Sequence, residues 1–124
     1  MREVRSVTTQ AGMSEMENRR FLDCGEEMLK LIVAYNEDLR NKRIPVMPGV
    51  DFKPKDLMAS LPDQAPETAE SFEQILQDVR DKIIPASTHW HHPNFFAYFP
   101  TSTSYPSILG DMLSGSIACI GFSW

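Results

Sequence analysis

Three histidines and five other aromatic rings fall within HWHHPNFFAYFP, His89 to Pro100, without one acidic, lysine or arginine side chain among them. Histidines this close together raise zinc first, because the neutral imidazole is a good zinc donor. On an extended backbone residues 89 and 91 share a face and 92 points away. That leaves two ligands where a structural zinc site needs four and a catalytic one three. No HExxH is present and no carboxylate stands nearby. Histidines that hydrogen-bond or stack are the stronger reading, and no metal is expected.

Other reactive side chains fare no better. GDMLSGS, from Gly110, lacks the GK[ST] ending of a phosphate loop and sits inside a helical pattern. Ser102, Ser104 and Ser107 have no base at a recognisable spacing. Lys30, Lys42, Lys53, Lys55 and Lys82 lie on amphipathic helices or in a proline-rich connector, without the apolar setting that lowers a lysine pKa for Schiff-base chemistry. No catalytic residue is expected in this chain. Its chemistry-bearing feature is a wall of rings.

The elements that must hold that wall are mostly helical. Ser14-x-x-Glu17 has the form of a capping box. After it, Phe21, Cys24, Met28, Leu31, Ile32, Tyr35 and Leu39 recur at three-four spacing, which predicts an amphipathic helix of about 25 residues that ends before Pro45. Five prolines between 44 and 66 mark a connector, with one short helical turn expected over Asp56 to Leu61. Ser71-x-x-Gln74 opens a second helix, with Phe72, Ile75, Leu76, Val79 and Ile83 as its stripe and Pro85 as its stop. Residues 88–101 have no helical period and are expected to be extended. Tyr105 to about Ala118 reads as a third helix, with Pro106 near its start. Gly110 and Ser114 are small enough to admit a close helix approach.

Charge sharpens this division. Of 12 Lys and Arg and 17 Asp and Glu, only Asp111 lies beyond residue 85, whereas eight of the twelve Phe, Trp and Tyr do. So apolar a segment must be buried against something. The net charge of −5 argues against nucleic acid or an anionic membrane as the main partner. Cys24 and Cys119 form no CxxC pair and read as buried thiols of a reducing compartment. No apolar run reaches the length of a signal peptide or membrane span, so a cytoplasmic location is expected. Trp124 falls in the middle of an apolar run with no cap, which is the expectation for a truncated chain.

IIPASTHWHHPNFFAYFPTSTSYPSILGDMLSGSIACIGFSW, Ile83 to Trp124, resembles the start of the catalytic region of the pyridoxal-phosphate group II decarboxylases. Within that family its wording is nearest to the animal aromatic L-amino acid (dopa/5-hydroxytryptophan) decarboxylases. FLDCGEEMLKLIVAYNEDLRNKRIPVMPGVDFKPKDLMASLPDQAPETAESFEQILQDVRDKI is similar to the family's amino-terminal helical segment, so only about the first dozen residues fall outside the likeness. Phe96 with Thr101 fits the dopa/5-hydroxytryptophan type better than the tyrosine or histidine decarboxylases. Ser102-Thr103-Ser104 departs from its usual wording, which leaves the preferred substrate open.

The resemblance implies a mostly α amino-terminal part of an enzyme whose whole is α/β, of PLP-dependent transferase-like fold type I. It implies a disordered leader over 1–13, a helical dimerisation segment over 14–85 and the start of the catalytic domain over 86–124. It further implies a homodimer acting on an aromatic L-amino acid. By position, Trp90, Tyr98, Phe99, Pro100 and Thr101 would line the substrate pocket, and Ile120 and Phe122 would reach into the pocket of the other subunit. The physics agrees, since a catechol or indole needs a concave aromatic site with few polar anchors. Tyr98 and Thr101 can supply those anchors. Pyridoxal phosphate would be held by residues beyond Trp124. The alternatives that stay open are a non-catalytic interaction module, and a tyrosine or histidine decarboxylase or aldehyde-forming relative of the same family.

Overall fold

A computed structural model describes residues 14–117; the proposed leader, Cys119, Ile120, Phe122 and Trp124 lie outside the described residues. Four helices run along the chain: α1 (Glu15–Arg40), α2 (Pro54–Ser60), α3 (Phe72–Asp78) and α4 (Tyr105–Ile117). No strand occurs among the described residues.

Helix α1 begins as the capping box predicts. The Glu17 amide donates to Ser14 Oγ (3.2 Å), and the Ser14 amide donates to Glu17 Oε2 (2.6 Å). Two amides left orphaned at a helix start are thereby satisfied. Its end is a Schellman closure: Lys42 N–H bonds Leu39 O (3.1 Å) and Arg43 N–H bonds Asp38 O (2.9 Å). The residue that turns there is Lys42, at φ 55°, in the left-handed region that usually falls to glycine. The helix thus ends at Arg40, five residues before Pro45, without needing it.

The apolar stripe of α1 is used unevenly. Leu39 is buried, and Leu31, Ile32 and Tyr35 are half-buried, whereas Phe21 and Leu22 are exposed. The outer face carries Lys30 between Glu26 (2.9 Å) and Glu27 (2.8 Å), which raises the lysine pKa but contributes little to stability at such exposure.

Helix α2 starts two residues earlier than expected. Pro54 occupies its first turn, where the missing N–H costs nothing, and the Lys53 amide donates back to Asp56 (2.7 Å). Helix α3 opens on the Ser71/Gln74 box (3.3 and 3.0 Å). It does not continue as a regular helix to Pro85: Val79–Ile83 form a π turn, closed by Ile84 N–H to Val79 O at 2.9 Å. The Ser87 hydroxyl then donates to Ile83 O (2.8 Å), so the helix end is capped.

Helix α4 is opened by a reciprocal pair, Ser104 and Ser107, whose amides each donate to the other's hydroxyl (3.1 and 3.3 Å). Leu109, Met112, Leu113 and Ile117 are all exposed. No helix among the described residues approaches Gly110, where an added Cβ would meet open space. Among the described residues only Leu39 and Leu76 are buried apolar side chains, joined by His89 and His92. The described residues form an open frame, with much of their apolar surface directed outward.

Candidate functional site: an aromatic wall

Residues 88–101 are irregular throughout, but they are not straight. Turns close from His92 N–H to His89 O (3.0 Å) and from Phe95 N–H to His92 O (2.9 Å). Within that bend the Asn94 amide donates to His92 Nδ1 (3.0 Å). The bend corrects the facing of the histidines: His89 and His92 are the buried pair and His91 is the exposed one. A straight backbone would have set 89 and 91 together; two consecutive turns replace that alternation. Among the described residues no three His, Cys, Asp or Glu side chains converge on a metal-sized site.

Each histidine has a structural bond instead. His91 Nε2 donates to Thr101 O (2.8 Å), with Thr103 Oγ1 3.2 Å from the same nitrogen. That bond ties the two ends of the segment together. His89 is held from two elements: its amide donates to Val46 O (2.8 Å), and its Nδ1 lies 2.9 Å from Tyr35 Oη on α1. Burial, with the nearby His92 adding to it, holds the His89 imidazole below the ordinary histidine pKa. Burial also raises the Tyr35 phenol. With the imidazole neutral and the phenol protonated, the tautomer of His89 sets which of Tyr35 Oη and Nδ1 donates.

Next to His89, Trp90 stacks on Tyr98 with centroids 5.2 Å apart and planes 13° from parallel. Phe95 meets the same indole at 5.4 Å, tilted by 31°. Tyr98 reaches the stack from a backbone φ of 58°, an uncommon conformation for a residue with a Cβ. Trp90 is 46%, Tyr98 74% and Phe99 101% exposed, and Pro100 and Thr101 are exposed as well. Five of the residues expected at a substrate site therefore stand along one bent segment and are exposed, Trp90, Tyr98 and Phe99 with open ring surface. Ile120 and Phe122 lie outside the described residues.

Two hollows flank this wall without including Trp90, Tyr98 or Phe99. One, of about 510 Å³, lies between α1 and the start of α4 and is bordered by Asn36, His91 and Tyr105. The other, of about 340 Å³, is lined by Tyr35, Phe52, Ile84 and His89, with Asp38 and Arg80 as its charged members.

The described residues do not fit a site for pyridoxal phosphate itself. Lys30 is engaged with Glu26 and Glu27, Lys82 bonds Asp78 (2.7 Å), and Lys42, Lys53 and Lys55 are exposed. None is buried in apolar surroundings that would free an amine for an imine bond. What this segment can do is hold a flat aromatic ring by stacking and exclude water from one side of it. The Tyr35–His89 pair escaped the sequence reading. Its one signal was a hydroxyl-bearing ring on the core face of a helix, a group that needs a polar partner when buried.

Comparison with known proteins adds the context. The family model described as the pyridoxal-dependent decarboxylase conserved domain matches residues 54–124. The aromatic-L-amino-acid decarboxylase of Drosophila simulans is 48% identical over 110 residues, covering 89% of this chain and 21% of that protein. Among solved structures, Rhodiola rosea 4-hydroxyphenylacetaldehyde synthase superposes with a TM-score of 0.78 at 40% identity, over 92% of this chain and 23% of that one. Oryza sativa TDC, solved with PLP and tryptamine, gives 0.76 at 28% identity, over 94% and 23%. The chain spans about a fifth of the length of the curated relatives it matches.

Proposed function

The chain belongs to the pyridoxal-dependent decarboxylase family, and from that premise we propose that it is part of an aromatic L-amino acid decarboxylase. Its substrates would be of the dopa/5-hydroxytryptophan type and its products the corresponding amines, catecholamine precursors and indoleamines among them. The observation that carries this reading is the parallel Trp90–Tyr98 stack, which leaves ring surface open in a segment without formal charge. Phe99, Pro100 and Thr101 extend that surface, and Ile120 and Phe122 would complete it from a second subunit. Segment 14–85 would serve the homodimer, and 86–124 would begin the catalytic domain. A cytoplasmic enzyme is proposed; no helix among the described residues is long and apolar enough to cross a membrane.

Bound pyridoxal phosphate supplies the electron sink for loss of the α-carboxylate. The residues of this chain bind and orient the side chain of the amino acid and shield one face of it from water. The 124 residues alone are expected to release no carbon dioxide from any amino acid, because none of the five lysines suits an imine.

A second reading has one observation in its favour: the 40%-identical structural neighbour is named an aldehyde synthase. The two are separated by product. The full-length enzyme, supplied with dopa, 5-hydroxytryptophan or tyrosine, should yield the amine without consuming dioxygen. Aldehyde with stoichiometric dioxygen uptake would establish the second reading, and no turnover of any aromatic amino acid would defeat both. Trp90→Ala should raise KM for the aromatic substrate on the order of 30-fold, the worth of a buried aromatic anchor.

A further inference from the structure

The ring wall rests on a single side-chain bond that reaches it from 54 positions away in the chain, Tyr35 Oη to His89 Nδ1 at 2.9 Å. The two rings also lie against one another, with centroids 5.6 Å apart. His89 is 3% exposed, and removing the phenol takes away the side-chain partner of its Nδ1. Its amide is fixed independently on Val46 O, and its carbonyl accepts the bond that starts the turn carrying the stack. Trp90 is the next residue. Among the described residues, the side-chain hydrogen bond that joins α1 to this segment is made by His89.

We propose that Tyr35 is a positioning residue for the substrate wall: its hydroxyl, carried on α1, locks the His89 imidazole and so sets the plane in which Trp90 meets Tyr98. The phenol touches no substrate. It acts by removing one rotational choice from His89, and a stacked pair is sensitive to such choices because its contact area falls as the planes tilt. The proposal rests on the reading of 90–101 as a substrate surface, but the geometry it invokes lies wholly within the described residues.

The test uses the full-length holoenzyme. Tyr35→Phe keeps the ring in the half-buried stripe of α1 and deletes only the hydroxyl. KM for the aromatic amino acid should rise on the order of fivefold, the lower end of what an unsatisfied buried polar group costs, with kcat nearly unchanged. His89→Leu should reproduce that rise, and the double variant should add nothing further. His89→Asn, whose amide oxygen can stand close to Nδ1, should restore most of the loss. A second readout needs no turnover. In protein labelled with 5-fluorotryptophan, the Trp90 resonance, assigned by its absence in Trp90→Phe, should shift or broaden in Tyr35→Phe and recover in His89→Asn. A wild-type enzyme inert toward aromatic amino acids would defeat the functional reading while leaving the fluorine result to judge the lock. Unchanged KM and an unchanged Trp90 resonance in Tyr35→Phe would overturn the proposal. So would a lowered melting temperature with kcat and KM intact, because that is the mark of a merely structural bond. Should Tyr35→Phe fail to accumulate, the contrast between His89→Asn and His89→Leu decides by the same two readouts.

Discussion

Tyr98 holds its ring against Trp90 from a left-handed backbone, and the two facts pull in opposite directions. The backbone would prefer glycine, which has no ring; the stack requires a ring, which has a Cβ. Tyr98→Phe should preserve the stack and the near-ultraviolet dichroism it produces. Tyr98→Val should abolish it, because a β-branched side chain at positive φ is a steric outlier. Tyr98→Gly should relax the backbone and lose the signal as well, which separates strain from stacking. His89 carries the pH dependence. Its pKa is depressed by burial, so above the ordinary value of about 6.5 the imidazole is neutral in folded and unfolded chains alike. Below that value the unfolded chain takes up a proton that the folded one refuses, and stability falls until the pH passes the depressed pKa. Protection of the His89 amide against hydrogen exchange, corrected for the intrinsic rate, should therefore decline as pH drops below about 6.5. Constant protection down to pH 5 would contradict it.

The helices were legible where their signals are local. Ser14/Glu17 and Ser71/Gln74 are reciprocal bonds between residues three apart, so spacing alone predicts them. The extent of α1 was legible too, about 25 residues by its stripe against 26 in the structure; the Schellman turn at Lys42 that ends it was not, because lysine carries no such signal. Helix α2 begins two residues earlier than expected because Pro54, counted with the connector, is well suited to a helix's first turn. These caps can be weighed directly in a peptide of residues 14–44. Lys42→Gly should stabilise the closed end by about 1 kcal/mol, the cost of a Cβ in the left-handed region. Ser14→Ala should cost about 1 kcal/mol at the other end. Helicity by circular dichroism reads both, and an equal response to Lys42→Ala and Lys42→Gly would refute the first.

For the molecule as a whole, sequence foresaw the imbalance but not the arrangement. An uncharged, ring-rich second part had to be covered, and the structure leaves Phe96, Phe99, Leu109 and Leu113 mostly bare. The contact that organises it, Tyr35 with His89, joins residues 54 apart, and no periodicity encodes such a pairing. Exposed apolar surface on this scale exceeds what monomers tolerate. The 124-residue chain by itself should therefore scatter light as an oligomer or aggregate and bind a dye for apolar surface. A monodisperse monomer that binds no dye would show that α4 and the ring wall fold back on α1 in solution. In the full-length enzyme, a subunit with Phe122→Ala can be paired with one that lacks the cofactor-binding lysine. The one competent site should then show wild-type KM if Phe122 serves its neighbour, and the Phe122→Ala defect if it does not.

The π turn at Val79–Ile83 has a consequence for how this chain tolerates length changes. It amounts to one surplus residue accommodated inside a helix, and each residue advances an α-helix by about 100°. Deleting Arg80 would let the segment anneal into an uninterrupted α-helix, with its backbone bonds conserved. Everything after it would swing by about a quarter of a turn, and His89 would no longer face Tyr35. A deletion harmless to helix content would thus mis-aim the rings, while an insertion in the connector at 61–70 should leave their aim unchanged.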